Sequence, residues 1–391
     1  MSSADSDDFS VSCFDRRQEP SSPPFPPSPT RTTTISLLPP FVFCRRSSSS
    51  LVLLAESTSA TTTPDSLAVF SFLLLGLNQI RALGEGRHSS IGPLKFDLDK
   101  GQDNITLMLN PTAWTQMASI LFVDILAGSG FSYAETKDGS ISSDNILANQ
   151  ANQFIKKFLI DHPKFLKNPL YVAGISYIGI IVPKITLELY EGNERGDQPP
   201  LNIQGYILIS PLTDKFRDFN SRLEYAHRMA LISDDIYKSA MKACNGNYVD
   251  IDTTNLFCAN SLRQYEECTS GINMDNILEP FCDENDPQSD CNSDFSNIVV
   301  EWANSKVVQE ALNIRPGKIG RFELFNNTLH YHQGKNDTSF GGYETKYAQN
   351  DYTLTYATVK GGGHLVPTYK PKETIALVEK WFSSQIRSYD S

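Results

Sequence analysis

The stretch YVAGISYIGIIVP, residues 171–183, decides the predicted fold. Gly174 stands two residues before Ser176, and Gly179 stands three residues after it. A serine flanked by glycines after a short apolar run is typical of a nucleophile elbow, whose usual pattern is G-x-S-x-G. In such an elbow the serine occupies a sharp turn between a strand and a helix. The sequence therefore predicts a serine nucleophile at position 176.

Strands and helices alternate along the chain around this stretch. Short apolar runs at 118–125, 169–174 and 203–210 predict strands buried on both faces. Amphipathic spacing predicts helices at 144–163, after Ser176, at 304–314 and at 370–382. A strand is predicted over 352–359. Strands that alternate with helices indicate a parallel sheet covered by helices, and therefore an α/β fold.

His364 is the candidate general base. It follows the last predicted strand, directly after three glycines at 361–363 that allow a sharp turn. A serine hydroxyl becomes a good nucleophile when an imidazole removes its proton. A chain order of elbow serine first and histidine last is that of the α/β-hydrolase fold, which has a mainly parallel sheet with helices on both faces.

The first ninety residues have a different composition. They are rich in Ser, Thr and Pro, which predicts a largely disordered, non-homologous segment at 1–90 before a hydrolase domain at 91–391. The start of the chain has no recognisable signal peptide, because no basic residues precede an apolar run. The apolar run Leu67–Leu77 is short for a membrane span. It is either a displaced signal-like region or, as we favour, a buried helix or strand.

Composition and charge restrict the partners. The net charge of −11 disfavours binding to nucleic acid or to an anionic membrane. No cofactor is predicted. His330 and His332 alternate along a short segment, but no further ligand spacing completes a metal site, so none is predicted.

Seven cysteines are present, and five of them lie between positions 244 and 291. They form no C-x-x-C pair, which argues against zinc, and their clustering favours disulfides over free thiols. Disulfides are typical of the secretory pathway. N-x-[ST] sequons predict glycosylation in the same compartment. The three sequons are at Asn104, Asn326 and Asn336.

Longer segments make the prediction more specific. The chain resembles the plant serine carboxypeptidase-like family, in the clade that includes the acyltransferases of secondary metabolism. The resemblance covers about residues 91–382 and is carried by IGPLKF (91–96), LNPTAWTQMASILFVD (109–124), GSGFSY (128–133), YVAGISYIG (171–179), YAHRMALISDDIY (225–237), CNGNYVDID (244–252), CTSGIN (268–273), VQEALNIRPGKIG (308–320) and TYATVKGGGH (355–364).

The resemblance implies a fold, a chemistry and residue roles. The fold is an α/β-hydrolase with a helical, cysteine-bearing insertion at about 216–291. The chemistry is acyl transfer through a serine, either hydrolysis of C-terminal peptide bonds or transfer from glucose esters, in a secreted or vacuolar protein. Ser176 is the nucleophile, His364 is the base, and the Tyr177 N–H is half of the oxyanion hole. The implied disulfides are Cys244–Cys258 and Cys282–Cys291, with Cys268 unpaired.

Several positions depart from the family pattern. Ile175 replaces a glutamate that recognises the substrate carboxylate, and no Gly-rich oxyanion segment precedes residue 91. The segment that carries the catalytic aspartate is absent, so the acid is unknown; Asp337 and Asp214 are the alternatives. Phe325 stands where the family has a cysteine.

These departures predict an incomplete sheet and impaired catalysis. The alternatives are a catalytically silent binding protein with this fold, or the product of a degenerate gene with N-terminal and internal deletions.

Overall fold

The computed structural model describes most of the chain after residue 90. The described residues are 41–43, 52–55, 70–76, 91–97, 106–136 except 129, 142–281 except 275 and 280, 293–322, 331–332, 345–349 and 352–387. Two compact units share them: one contains 214–273, and the other contains the remaining described residues.

Twelve strands and nine helices lie within these residues. The strands are β1 Phe41–Phe43, β2 Val52–Ala55, β3 Phe70–Gly76, β4 Leu94–Asp97, β5 Thr106–Leu109, β6 Ala118–Asp124, β7 Ser142–Ser143, β8 Leu170–Ile175, β9 Ile203–Ile209, β10 Tyr331–His332, β11 Thr345–Gln349 and β12 Tyr352–Tyr356. The helices are α1 Asp144–Asp161, α2 Ile181–Glu194, α3 Lys215–Arg228, α4 Asp234–Cys244, α5 Leu256–Thr269, α6 Ser293–Asn304, α7 Lys306–Ala311, α8 Val366–Tyr369 and α9 Pro371–Arg387.

The main sheet has six strands in the order β1-β2-β6-β3-β8-β9. The last four of these run parallel to one another, while β1 and β2 are antiparallel additions at one edge. The predicted strands at 118–125, 169–174 and 203–210 are β6, β8 and β9. The mainly parallel α/β sheet that the sequence predicts is therefore confirmed.

Strand β3 lies before residue 91, where the sequence predicts that the hydrolase domain begins. Its backbone pairs in parallel with β6 on one side and with β8 on the other, so it lies inside the sheet. The strands β1 and β2 also come from the segment that was expected to be largely disordered. The strand has the seven-residue sequence FSFLLLG, an apolar run of the kind that buried parallel strands have. The Ser-, Thr- and Pro-rich residues before it dominate the composition of the first ninety residues, so composition alone predicts disorder there. Of the two interpretations of Leu67–Leu77, the strand is the one that agrees with the backbone over Phe70–Gly76.

Helices cover both faces of this sheet. In β6, Leu121 and Val123 pack with the buried sides of α1 and α2, whereas Ile120 and Phe122 pack with α9 on the opposite face. Every residue of β6 is buried, as the continuous apolar run predicts. The sheet therefore holds the start of α2 close to the carboxyl end of β8.

The buried side of α2 is a main source of stability. Ile185 is 0% exposed in the cluster between α1, α2 and the sheet, whereas Leu187 on the same helix is 57% exposed. We expect Ile185→Ala to lower the free energy of unfolding by about 2–5 kcal/mol, because it leaves a cavity among closely packed side chains. The matched variant Leu187→Ala should change it by less than about 0.5 kcal/mol. Urea unfolding measures both, and equal losses would contradict this packing.

The predicted strand 352–359 is only partly as expected. It ends at Tyr356 and forms an antiparallel hairpin with β11, and within the described residues this hairpin is separate from the six-stranded sheet. The histidine loop that follows is therefore held by its own contacts and not by a strand adjacent to β8.

Residues 214–273 form a helical unit within the region of the insertion that the sequence predicts at about 216–291. Helices α3, α4 and α5 pack around a small apolar cluster. A disulfide joins Cys244 to Cys258, as the family resemblance implies. Cys268 is also disulfide-bonded, with a partner outside the described residues, so the prediction that it is unpaired is wrong. Cys282 and Cys291 themselves lie outside the described residues.

In the described part of the chain, no helix combines the length and the apolar character that a bilayer crossing needs.

Candidate active site

Ser176 occupies a strained turn at the carboxyl end of β8. Strand β8 ends at Ile175, a short 3-10 helix runs from Ser176 to Ile180, and α2 begins at Ile181. The φ angle of Ser176 is +61°, in the left-handed region that residues other than glycine rarely adopt. Such strain costs on the order of 1–3 kcal/mol and is concentrated at functional positions. The strand, turn and helix predicted for an elbow are all present.

Close packing explains the glycine after the serine. A Cβ at Gly179 would lie 2.3 Å from the Cβ of Pro211, so only glycine fits where the turn meets the segment after β9. The usual second glycine of the G-x-S-x-G pattern would be one residue earlier, where Ile178 is 1% exposed in the core. In this chain the glycine that allows close packing beside the turn therefore stands three residues after the serine, and not two as in the common pattern.

A backbone hydrogen bond ties the same segment to the nucleophile. The Leu212 N–H donates to the Ser176 carbonyl oxygen at 2.9 Å. This bond holds the strained residue against the loop that leaves β9.

His364 lies beside the serine. Its Nε2 atom is 2.9 Å from Ser176 Oγ, a hydrogen-bond distance, in a partly buried contact. Gly361 has a φ of +73°, which turns the chain back after β12. The two predicted residues, 188 positions apart, are thus brought together. This is the geometry in which an imidazole can accept the hydroxyl proton.

Of the two alternatives for the acid, only Asp214 lies within the described residues. The Asp214 carboxylate accepts the Arg217 N–H at 2.7 Å and caps α3, while the Asp214 N–H donates to Asp218 Oδ2 at 3.1 Å. Asp214 is therefore engaged as a helix cap. Asp337 lies outside the described residues. Among the residues that the structure describes, no carboxylate is within hydrogen-bond or ion-pair distance of the His364 ring.

Ile175 and Tyr177, on either side of Ser176 in the sequence, pack against two different apolar clusters. Ile175 is half-buried against the apolar cluster that contains α9. Tyr177 packs against the α1–α2 cluster, and its hydroxyl donates to Asp144 Oδ1 at 3.1 Å. Asp144 is 3% exposed in the first turn of α1. Sequence reasoning missed Asp144, because an aspartate at the start of a helix is common for helix-dipole reasons alone.

A strained serine after a central strand, a histidine 2.9 Å from its hydroxyl and a mainly parallel sheet define a protein of the α/β-hydrolase fold with a Ser–His pair. The family described as serine carboxypeptidase matches residues 82–340 and 328–384. The chain belongs to the serine carboxypeptidase family.

Two plant proteins of the same family are similar to this chain in sequence. The chain is 34% identical over 344 residues to serine carboxypeptidase-like 17 of Arabidopsis thaliana, which covers 75% of this chain and 78% of that protein. It is 35% identical over 348 residues to serine carboxypeptidase-like 16 of the same plant, which covers 75% and 79%.

A solved structure shares the fold. Kex1(delta)p, a prohormone-processing carboxypeptidase from Saccharomyces cerevisiae, superposes with a TM-score of 0.54 at 16% identity. The match covers 72% of this chain and 62% of the yeast chain, so this chain spans less than two thirds of that protein.

Proposed function

We propose that the chain is a serine-dependent acyl-transfer enzyme that acts on activated acyl esters and only poorly on peptides. The observation that carries the proposal is the 2.9 Å contact between Ser176 Oγ and His364 Nε2. Ser176 Oγ forms a bond to the acyl carbon, and its proton passes to His364 Nε2. The ester bond then breaks, and the leaving oxygen takes that proton or departs as a stable anion. A water or alcohol finishes the cycle by attacking the acyl-serine.

The oxyanion is the second element of the proposal. The Tyr177 N–H is the proposed donor to the negative oxygen of the tetrahedral intermediate. A backbone N–H immediately after an elbow serine holds this position in hydrolases of the same fold. Removing one such donor costs about 10²–10³-fold in rate in other enzymes, so turnover should depend on this N–H.

Ile175 supports esters over C-terminal peptide bonds. Its side chain is apolar and half-buried beside the nucleophile, and it offers no hydrogen bond to a substrate carboxylate. Peptide cleavage also requires the histidine to protonate an amine leaving group. No carboxylate of the described residues lies beside His364, and an imidazolium without such a partner is poorly supported, a loss of about 10⁴-fold in a related system. Transfer from a natural ester such as a glucose ester therefore fits this site better than peptide hydrolysis.

We extend the proposal to the compartment. The Cys244–Cys258 disulfide supports a secreted or vacuolar protein, because such bonds persist in oxidising compartments. Glycosylation at Asn104, Asn326 and Asn336 is part of the same proposal, and these positions lie outside the described residues.

The test compares leaving groups on the folded, secreted protein. We expect release of nitrophenol from a p-nitrophenyl ester at a rate above the uncatalysed reaction, with little or no amino acid released from a blocked dipeptide under the same conditions. A glucose ester should give acyl transfer at an intermediate rate. Rapid dipeptide hydrolysis would contradict the ester preference. A complete lack of ester turnover would contradict the enzyme proposal and favour a catalytically silent binding protein.

A further inference from the structure

The residue after the nucleophile is held by a hydrogen bond of its own. The Tyr177 hydroxyl donates to Asp144 Oδ1 at 3.1 Å, across 33 positions of sequence. Asp144 is 3% exposed, and a hydrogen bond to a carboxylate is stronger where the carboxylate is shielded from water. The contact therefore joins the elbow directly to another element of the fold.

The anchor at the other end of this bond is rigid. Asp144 lies in the first turn of α1, where the helix dipole favours a negative side chain, and Ser143 caps the same helix by accepting the Ile146 N–H. Helix α1 packs on the sheet through buried Leu147 and Ile155, both 2% exposed or less. Asp144 is thus held in place independently of Tyr177.

The elbow needs such an anchor. Ser176 is held at a φ of +61°, and a strained residue keeps its conformation only when its surroundings fix it. The Leu212 N–H fixes the carbonyl of Ser176, which belongs to the same peptide unit as the Tyr177 N–H. The hydroxyl of Tyr177 fixes the other side of that peptide through the side chain.

We infer that Asp144 is a positioning residue that, through the Tyr177 hydroxyl, aims the Tyr177 N–H at the oxyanion; this inference rests on the proposed acyl-transfer function. Asp144 itself touches no substrate. Its effect is on the transition state, because the N–H must lie within hydrogen-bond distance of an oxygen that becomes negative only during the reaction. Loss of the bond should therefore reduce kcat and leave KM nearly unchanged.

The variants are chosen to separate positioning from folding. Tyr177→Phe removes only the hydroxyl and keeps the ring in its apolar contacts. Tyr190→Phe is the matched control, because Tyr190 packs against the same cluster and its hydroxyl donates to the Ile203 carbonyl oxygen at 3.2 Å, away from the elbow. Asp144→Asn keeps an oxygen acceptor at the same place, whereas Asp144→Ala removes it.

The measurement is kcat and KM for a p-nitrophenyl ester. We expect Tyr177→Phe and Asp144→Ala each to lower kcat by about 10–100-fold, with KM within about threefold, since a displaced donor loses part of the oxyanion stabilisation. The double variant should be no slower than the slower single variant, because both changes remove the same bond. Asp144→Asn should recover most of kcat, and Tyr190→Phe should match the unaltered protein.

The outcomes distinguish this inference from the function on which it rests. If the unaltered protein turns the ester over through Ser176 but Tyr177→Phe retains full kcat, positioning by Asp144 is wrong and the acyl-transfer proposal stands. If Tyr177→Phe and Tyr190→Phe lower kcat equally, the effect is general destabilisation, and the positioning role is again wrong. If the unaltered protein shows no turnover that depends on Ser176, both proposals fail.

Discussion

Replacement of Ser176 by alanine is expected to lower turnover of an activated ester by roughly 10³-fold or more. The hydroxyl oxygen is the only atom of this residue that can form the acyl intermediate. Alanine adopts the same backbone angle with a similar strain, so the turn at +61° should persist and the fold should be retained. Ester hydrolysis at saturating substrate measures the loss.

An exposed serine on α9 supplies the control. The Ser383 hydroxyl donates to the Glu379 carbonyl oxygen on the surface, so Ser383→Ala should leave turnover unchanged. If Ser176→Ala retained more than about a tenth of the turnover, another group would be the nucleophile and the elbow interpretation would be wrong.

Replacement of His364 by glutamine should lower kcat by about 10²–10⁴-fold, the usual contribution of a general base. Glutamine can still hydrogen-bond the serine hydroxyl, but it cannot take the proton. The loss should be larger for an ester with a poor leaving group than for a nitrophenyl ester, because the histidine also returns a proton to the leaving oxygen. Initial rates over a series of phenyl esters measure this dependence.

His162 is the matched control for this change. It lies at the carboxyl end of α1 with its ring 4.5 Å from that of Phe158, so His162→Gln tests whether losing an imidazole elsewhere has any effect. Similar kcat values for His364→Gln and the unaltered protein would show that the 2.9 Å contact does not serve catalysis.

The sequence predicts well those parts of the fold that depend on local pattern. The continuous apolar run of β6 and the helical spacing of α1 specify their own elements, and their bounds agree to within two residues. The elbow is equally local, because the serine, its glycines and the flanking strand are adjacent in sequence. The histidine could be placed because Gly361 to Gly363 mark a turn before it.

Features that depend on distant pairing were harder to predict. Strand β3 is fixed by parallel pairing with two strands, β6 and β8, that come more than 40 residues later in the chain, and its flanks have the composition of a disordered segment. The disulfide of Cys268 likewise depends on a partner that no local pattern specifies.

The site shows the same contrast. Ser176 and His364 carry recognisable motifs, whereas the bond between Tyr177 and Asp144 joins residues that have no shared pattern. An aspartate at a helix start has a sufficient local explanation, so its second role emerges only when the helix is packed beside the elbow. The sequence does not identify the acid and leaves Asp337 and Asp214 as alternatives.

The central claim is that Ser176 is a nucleophile activated by His364. Treatment of the folded protein with a fluorophosphonate, followed by mass spectrometry of the intact chain and of its peptides, tests it most directly. We expect one adduct per chain, located on Ser176, absent in Ser176→Ala and formed at least about 10²-fold more slowly in His364→Gln. No adduct, or an adduct on another residue at the same rate in all three proteins, would contradict the claim.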